Sequence, residues 1–171
     1  VCAPSRASLL TGKHNGHSSV RGNQPFPQQL GSEPTIASLL KQNGYVTALI
    51  GKWGVGHPQP IGDPQRCGFD YSFGYLNMWH AHNFYPEYLY ENDKKVTLPG
   101  NKLLPLDKWT NNSWVGTKEN APEGYGEAET KATYVPQLME QKAKEFITNN
   151  KEKPFFIFYL FSKVFYYSYY S

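Results

Sequence analysis

The sequence is poor in the features that mark several protein classes. It has only two cysteines in 171 residues, and no apolar run that resembles a signal peptide or a membrane span. Its 17 basic and 14 acidic residues leave a net charge of +3, and the basic residues are scattered along the chain. This distribution argues against a polybasic membrane anchor and a nucleic-acid-binding stripe. The sequence therefore predicts no nucleic-acid partner and no membrane segment.

Internal repeats and clear linkers are also lacking, which favours a single domain. A length of 171 residues is enough to bury a core of reasonable size. Aromatic residues, by contrast, make up 16% of the chain, with 13 tyrosines and 4 tryptophans. Such a composition suits a surface that faces carbohydrate.

The most informative stretch is the run Cys-Ala-Pro-Ser-Arg-Ala-Ser-Leu-Leu-Thr-Gly at residues 2–12. Pro4 suits a first helical position and Gly12 a helix end, so the run predicts a short helix that begins just after Cys2. Free amides and the helix dipole favour anions at such an end. Arg6, about one turn further on, can return toward it and bind oxyanion oxygens. For a lone cysteine, the alternative is an ordinary buried residue at a helix start.

A second informative stretch, Gly-Tyr-Val-Thr-Ala-Leu-Ile-Gly-Lys-Trp, occupies residues 44–53. Its residues 45–50 are apolar and β-rich, which predicts a buried parallel strand. Lys52 then falls at the carboxyl end of the strand, where open α/β sheets place their ligands. The alternative for Lys52 alone is a solvated lysine in a glycine-rich turn.

An amphipathic helix is predicted before this strand, over residues 35–43. Thr35 is its expected N-cap and Gly44 its expected C-cap. The apolar residues expected to face inward are Ile36, Leu39 and Leu40.

Helical periodicity and an apolar run return near the end of the chain. Pro136 at a first-turn position predicts a helix whose inward face is formed by Leu138, Met139, Ala143, Phe146 and Ile147. Residues 155–160 then predict a central parallel strand. Residues 57–126 show little periodicity and predict a long irregular region that forms the wall of a site. The alternation of helix and strand favours a three-layer α/β architecture with a mainly parallel sheet.

The runs at residues 2–12 and 44–53 resemble, in order, the two signatures of the formylglycine-dependent sulfatases. The resemblance implies that a formylglycine-generating maturation enzyme oxidises Cys2 to an aldehyde, whose hydrate attacks the sulfur of a sulfate ester. It also implies catalytic roles for Arg6, toward the hydrated aldehyde and sulfate, and for Lys52, toward sulfate and the leaving oxygen. If Cys2 is converted, it cannot form a disulfide with Cys67.

The second run departs from the commonest family pattern at Gly54, where many relatives carry a histidine that contacts the formylglycine. The chain resembles a bacterial subgroup with Gly-Lys-Trp-Gly. Candidates for the missing imidazole are His57 and the pair His80 and His82, which would project to one side of an extended segment. His17, in a polar glycine-rich loop, is a further candidate for substrate binding. Loop histidines without a ligand, and for the pair a metal site, are the alternatives.

The resemblance implies an alkaline-phosphatase-like fold, with residues 1–160 as part of the catalytic domain. Residues 161–171 form an atypical tail rich in Tyr, Ser and Phe, which suggests a frameshift or truncation. Family members bind a divalent cation, usually calcium, through acidic and Asp-Asn pairs that this chain lacks. Only Cys2, as formylglycine, remains as a metal ligand. The chain is thus predicted to be a fragment without either end, and inactive by itself.

The parent protein is expected to be an arylsulfatase-type hydrolase of sulfate esters, acting on a sulfated carbohydrate or an arylsulfate. Two alternatives stay open: a phosphate or phosphonate monoester hydrolase of the same superfamily, and a non-catalytic remnant that binds sulfated glycans. By family resemblance, the expected location is periplasmic or secreted.

Overall fold

A computed structural model describes residues 2–23, 30, 33–56, 63–105, 108, 124 and 126–160. The helices there are α1 (Cys2–Thr11), α2 (Ile36–Gln42) and α3 (Val135–Asn150), and His80–His82 form a 3-10 turn. The strands are β1 (Val46–Lys52), β2 (Tyr71–Tyr75), β3 (Tyr88–Glu91), β4 (Lys94–Thr97), β5 (Lys102–Leu103), β6 (Ala128–Thr130) and β7 (Phe155–Leu160). His57 and the predicted atypical tail at 161–171 lie outside the described residues. Within the described ranges, no helix has the length and hydrophobicity that a membrane span requires.

Five strands form the main sheet, in the order β4-β3-β2-β1-β7. β1 pairs in parallel with both β2 and β7, which confirms the predicted parallel strands at 45–50 and 155–160. β3 and β4 are antiparallel, and β5 and β6 form a separate two-stranded sheet. The prediction of a wholly irregular region over 57–126 was therefore wrong: its hairpin continues the sheet. β7 lies at the edge of the described sheet and not, as predicted, at its centre.

The sheet is covered on both faces, because neighbouring residues of β1 point in opposite directions. Leu49 packs in a core cluster with Ala7 and Leu10 of α1 and with Ala37 of α2. Ile50 packs in a second cluster with Met139 of α3. The predicted three-layer α/β/α arrangement is confirmed.

The first helix places Cys2 within its first turn, one step earlier than the sequence predicted. Its inward face consists of Ala3, Ala7 and Leu10, which recur at helical spacing and are buried. The predicted stop at Gly12 is confirmed: this residue has φ +70° and donates its N–H to the Ser8 carbonyl at 2.9 Å.

The cap predicted for α2 is confirmed, but two of its three predicted inward residues face solvent. Thr35 and Ser38 form a reciprocal capping box. Ile36 and Leu39 are 41% and 54% exposed, whereas Ala37 is fully buried. Gly68 approaches α2 so closely that a β-carbon on it would overlap the backbone of Ser38.

The inward face of α3 agrees with prediction except at its end. Met139 and Phe146 are buried, seven residues apart, whereas Ile147 is 42% exposed. Since each residue advances the helix by about 100°, the residue after Phe146 turns away from the sheet. Pro136 lies in the first turn, as the sequence predicted.

Three backbones meet at the carboxyl end of β1. Gly51 pairs with Gly74 of β2 and with Leu160 of β7, and both glycines have positive φ. A β-carbon on Gly51 would overlap the Leu160 carbonyl, and one on Gly74 would overlap the Gly51 carbonyl. Glycine is therefore required at both positions. Gly51 directly precedes Lys52, the last residue of β1.

The carboxylate of Asp70 connects the end of α2 to the start of β1. It accepts hydrogen bonds from the backbone N–H and hydroxyl of Thr47 at 3.0 and 3.1 Å, and forms an ion pair with Lys41 at 2.7 Å. Burial alone would raise its pKa, but the bonds from Lys41 and Thr47 outweigh burial and lower it. Asp70 therefore stabilises the fold above its unfolded pKa, and this contribution is lost as the pH falls through its lower folded pKa.

We expect Asp70→Asn in the intact protein to lower the free energy of unfolding by about 1–2 kcal/mol at pH 7. The difference from wild type should shrink as the pH falls below the ordinary carboxyl range, because wild-type Asp70 is then protonated too. Urea unfolding at several pH values measures both effects. The control is Glu140→Gln, which removes an exposed pair with Lys144 on α3 and should leave stability nearly unchanged. A constant difference across the pH range would contradict the prediction.

Candidate active site

The first turn of α1 and the carboxyl end of β1 meet at the side chain of Arg6. Its Nη1 donates to the Cys2 carbonyl at 2.9 Å, and its Nε donates to the Lys52 carbonyl at 3.2 Å. A planar guanidinium can make both bonds at once because its donors point in fixed, divergent directions. The structure thus brings together the three residues that the sequence singled out, although they lie up to 50 positions apart.

The side chain of Cys2 interacts with both cations. In its thiolate form it attracts each of them, which raises the pKa of both Arg6 and Lys52 against the effect of burial. Burial lowers the pKa of Arg6, and the interactions with Cys2 oppose that effect in part. The thiol is half-buried, so the position is accessible at the surface as well as surrounded by positive charge.

Lys52 is the most buried charged group of this cluster, with 6% of its surface exposed. Burial is the main reason why its pKa is lowered; the charge of Arg6 lowers it further, and Cys2 raises it. A desolvated ammonium beside a guanidinium interacts strongly with an anion, since less water screens the charges. The cluster is chemically suited to hold an oxyanion next to the side chain of residue 2.

The residues after Lys52 leave space beside its side chain. The N–H groups of Trp53 and Gly54 donate to the carbonyls of Tyr75 and Leu76, which fixes these two residues beside the end of β2. Gly54 has φ +73°, and a β-carbon there would lie 3.7 Å from Lys52 Cε and 3.3 Å from Met78 Cβ. A histidine at this position would be strained in its backbone, which gives a physical reason for glycine.

The two histidines of residues 79–83 lie in different environments, one buried and one exposed. An extended segment would turn both side chains to one side, but residues 80–82 form a 3-10 turn. His80 is 1% exposed and its ring packs against Tyr75 and Tyr88, at centroid distances of 5.1 and 4.6 Å. His82 keeps an exposed face; partial burial, and then the charge of Lys52, lower its pKa.

The turn that carries His82 is fixed to the same end of the sheet as Lys52. Tyr75 pairs with Lys52 across β1 and β2, and its hydroxyl donates to the Asn83 carbonyl at 2.6 Å. Burial raises the pKa of the Tyr75 hydroxyl far above its usual range, so it stays a hydrogen-bond donor. Its position follows from strand register, which the sequence alone did not reveal.

The remaining predicted substrate-binding histidine, His17, lies in the exposed loop after α1. Its ring is 4.3 Å from that of His14, and its N–H donates to the His14 carbonyl at 2.9 Å. These contacts organise the loop, so the role of His17 toward a substrate stays a prediction.

One residue of the site was missed by the sequence analysis. Asn23 accepts a hydrogen bond from the Ala3 N–H at 3.0 Å through its side-chain oxygen, and so caps α1 from outside the helix. Asparagine is a favoured capping residue, but a cap normally precedes its helix directly. Because Asn23 lies 20 positions after Ala3, no local sequence pattern indicates that it caps α1.

The described residues do not supply a calcium site. They contain no group of three or more His, Cys, Asp or Glu side chains that could hold a metal ion. The charged side chains identified around Cys2 are the cations Arg6 and Lys52, which disfavour a further cation unless carboxylates compensate. Cys2 by itself does not fit calcium, which takes several oxygen ligands.

The chain is similar to known proteins in both sequence and fold. Residues 1–170 match the family model described as Sulfatase. Arylsulfatase G of Canis lupus familiaris is 47% identical over 77 residues, which are 43% of this chain and 14% of that protein. N-acetylgalactosamine-6-sulfatase of Mus musculus is 30% identical over 172 residues, or 93% of this chain and 30% of that protein. The chain therefore spans less than a third of the length of either relative.

A solved structure shows the likeness of fold. BT4656 in complex with its substrate D-glucosamine-2-N,6-O-disulfate superimposes with a TM-score of 0.57 at 25% identity, over 93% of this chain and 24% of that chain. With the family match, this likeness confirms the predicted alkaline-phosphatase-like α/β fold.

We expect Cys2→Ala to lower the pKa of Lys52, because the interactions that raise it are removed while burial and Arg6 remain. Competitive acetylation of lysines over a range of pH, read by peptide mass spectrometry of the unconverted intact protein, measures this pKa. Lys144 on the exposed side of α3 is the internal control. Cys2→Ser keeps a hydrogen-bond partner and should cause a smaller change. Unchanged Lys52 titration in the alanine variant would show that Cys2 does not act on it.

Proposed function

The chain belongs to the sulfatase family, and we propose that the protein hydrolyses sulfate esters through a formylglycine made from Cys2. The observation that carries this proposal is the convergence of Arg6 and Lys52 on residue 2, through the hydrogen bonds of Arg6 to the carbonyls of residues 2 and 52. A nucleophile needs a partner that binds the attacked group, and both cations are placed to do so.

Formylglycine and calcium are general features of the family. When present, the hydrated aldehyde supplies a hydroxyl nucleophile and a second hydroxyl that allows the sulfate to be released without separate attack by water. Arg6 orients residue 2 through its carbonyl and so sets the direction of attack. Lys52 binds a sulfate oxygen, and its lowered pKa makes the ammonium a better proton donor to the leaving oxygen.

His82 is the histidine that we propose as a substrate-binding residue. It is exposed, and it lies close enough to Lys52 for the charge of the ammonium to lower its pKa. Its lowered pKa keeps the imidazole neutral at pH 7, so one ring nitrogen can accept a hydrogen bond. The hydroxyl beside the sulfate of a sugar is a suitable donor. His82 would thus bind the sugar, and Arg6 and Lys52 the sulfate.

We further propose a sulfated glycan as the natural substrate and an arylsulfate as an artificial one. The names of two relatives support this, since N-acetylgalactosamine-6-sulfatase and BT4656 act on or bind sulfated amino sugars. A maturation enzyme that converts Cys2, calcium ligands outside the described residues, and a periplasmic or secreted location complete the proposal.

The deciding experiment is peptide mass spectrometry across Cys2 of the intact protein, co-expressed with a formylglycine-generating enzyme. Conversion of the thiol to the aldehyde should remove about 18 Da. The converted protein should then hydrolyse 4-nitrophenyl sulfate, and Cys2→Ala should be inactive. An unmodified thiol, in cells that mature a control sulfatase, would contradict the mechanism and favour a non-catalytic glycan-binding protein.

The same leaving group on a different anion tests the reaction class. We expect 4-nitrophenyl sulfate to be a better substrate by kcat/KM than 4-nitrophenyl phosphate. Because the leaving group is the same in both compounds, any difference in kcat/KM reports on the anion alone. The comparison is made with matured wild type and with Lys52→Ala, which should lose about 100-fold or more in kcat. A preference for phosphate would assign the protein to the phosphate or phosphonate hydrolases of the same fold.

Replacement of His82 by alanine should lower kcat/KM for a sulfated monosaccharide by about tenfold, because a hydrogen bond to a sugar hydroxyl is lost. In wild type, this kcat/KM should fall as the pH drops through the lowered pKa of His82, where the ring becomes protonated and stops accepting. The acid limb should be absent in His82→Ala and retained in the control His14→Ala. An acid limb that survives in His82→Ala would remove His82 from the proposal.

A further inference from the structure

Two tyrosines lie side by side on the chain segment that follows His82. The rings of Tyr85 and Tyr134 have centroids 5.3 Å apart and planes tilted by 36°, and Phe84 supports Tyr134 at 6.1 Å. Tyr134 is 39% exposed and Tyr85 is half-exposed. Neither tyrosine has a role in the proposed hydrolysis.

The backbone holds this pair in place without need of the rings themselves. The Val135 N–H, at the start of α3, donates to the Phe84 carbonyl at 3.1 Å. The Asn83 side chain accepts the Tyr85 N–H at 2.8 Å, and Tyr75 holds the Asn83 carbonyl. Because other groups fix both tyrosines, their partly exposed faces form a preorganised surface.

The surface lies close to the proposed site. Tyr85 follows His82 by three residues, and three extended residues span at most about 11 Å. The same Tyr75 hydroxyl that anchors this segment belongs to the residue paired with Lys52. A ligand that extends beyond a sugar bound at His82 therefore has the Tyr85 ring within its reach.

A cation completes the surface. The ammonium of Lys131 lies 5.8 Å from the centroid of the Tyr85 ring, and Lys131 is exposed. Aromatic faces pack against the apolar C–H faces of pyranose rings, and the ammonium suits a carboxylate or sulfate on the same ring.

We propose that Tyr85, Tyr134 and Lys131 form a binding subsite for the sugar adjacent to the one that carries the cleaved sulfate, in an anionic oligosaccharide. The subsite rests on the proposed function, which it extends from a sulfated sugar to a sulfated chain. It contributes binding energy away from the reacting atoms, so it selects among substrates without taking part in the chemistry.

The test compares a small and an extended substrate on the matured intact protein: 4-nitrophenyl sulfate, and sulfated di- and tetrasaccharides prepared from heparin and chondroitin sulfate. Tyr85→Ala and Tyr134→Ala should each lower kcat/KM for a cleaved oligosaccharide by about tenfold, mainly through KM. Both should leave 4-nitrophenyl sulfate unchanged. Tyr85→Phe and Tyr134→Phe should retain most of the oligosaccharide activity, since the aromatic ring is retained.

Lys131→Ala should lower kcat/KM for the oligosaccharide at low salt. The difference from wild type should disappear as the ionic strength rises, because salt screens the exposed charge. The matched controls are Tyr45→Ala and Lys151→Ala, exposed residues near the amino end of β1, opposite to Lys52. These two substitutions should leave kcat/KM unchanged for both substrates.

The subsite is refuted if the tyrosine variants alter both substrates equally, if they alter neither, or if wild type cleaves the aryl sulfate but none of the oligosaccharides. Failure of the proposed function looks different, because wild type with a converted Cys2 would then cleave no sulfate ester at all.

Discussion

The close approach of three strands at Gly51 determines where the chemistry of this protein can lie. Because Gly51 and Gly74 lack side chains, β1 stays paired with β2 and β7 up to its last residue. Lys52 therefore leaves the sheet from a rigid position and not from a loop. The sheet defines the position of the ammonium, and Arg6 then attaches the first turn of α1 to the same strand end through the Lys52 carbonyl.

The site is unusual in its charge balance. Two cations lie beside the side chain of residue 2, and burial lowers the pKa of both. Positive charges that are close together and poorly solvated are costly for the fold unless an anion joins them. An anion at residue 2 can supply part of this compensation, and the sulfate of the proposed substrate can supply more. The same imbalance explains why the described cluster suits an oxyanion and does not by itself suit calcium.

Sequence reasoning succeeded where local physics decides the structure. The glycine at position 12, the capping residue Thr35 and the apolar run of β1 each act through neighbours in the chain, and the structure confirms all three. The association of Cys2, Arg6 and Lys52 was predicted by family resemblance, since no local pattern joins α1 to the end of β1.

The errors arose where tertiary packing outweighs pattern. Ile36 and Leu39 are exposed and Ala37 is the buried residue of α2, on a helix whose backbone lies directly against Gly68. His80 and His82 separate because their segment is a 3-10 turn, in which residues two apart point in different directions. The pairing of Tyr75 with Lys52, and the capping of α1 by Asn23, depend on contacts between distant parts of the chain.

One tyrosine hydroxyl connects the reacting end of the site to the surface that would recognise the rest of a substrate. Tyr75 is buried and donates to the Asn83 carbonyl, so the turn with His82 and the segment with Tyr85 share one anchor on β2. Removal of this hydroxyl would leave a buried carbonyl without its donor, and both parts would lose the same support. In the proposed function, the position of His82 and the selection of extended substrates thus depend on the same buried hydrogen bond. A change that loosens the anchor should affect large and small substrates together, whereas changes in the tyrosine surface should affect large ones alone.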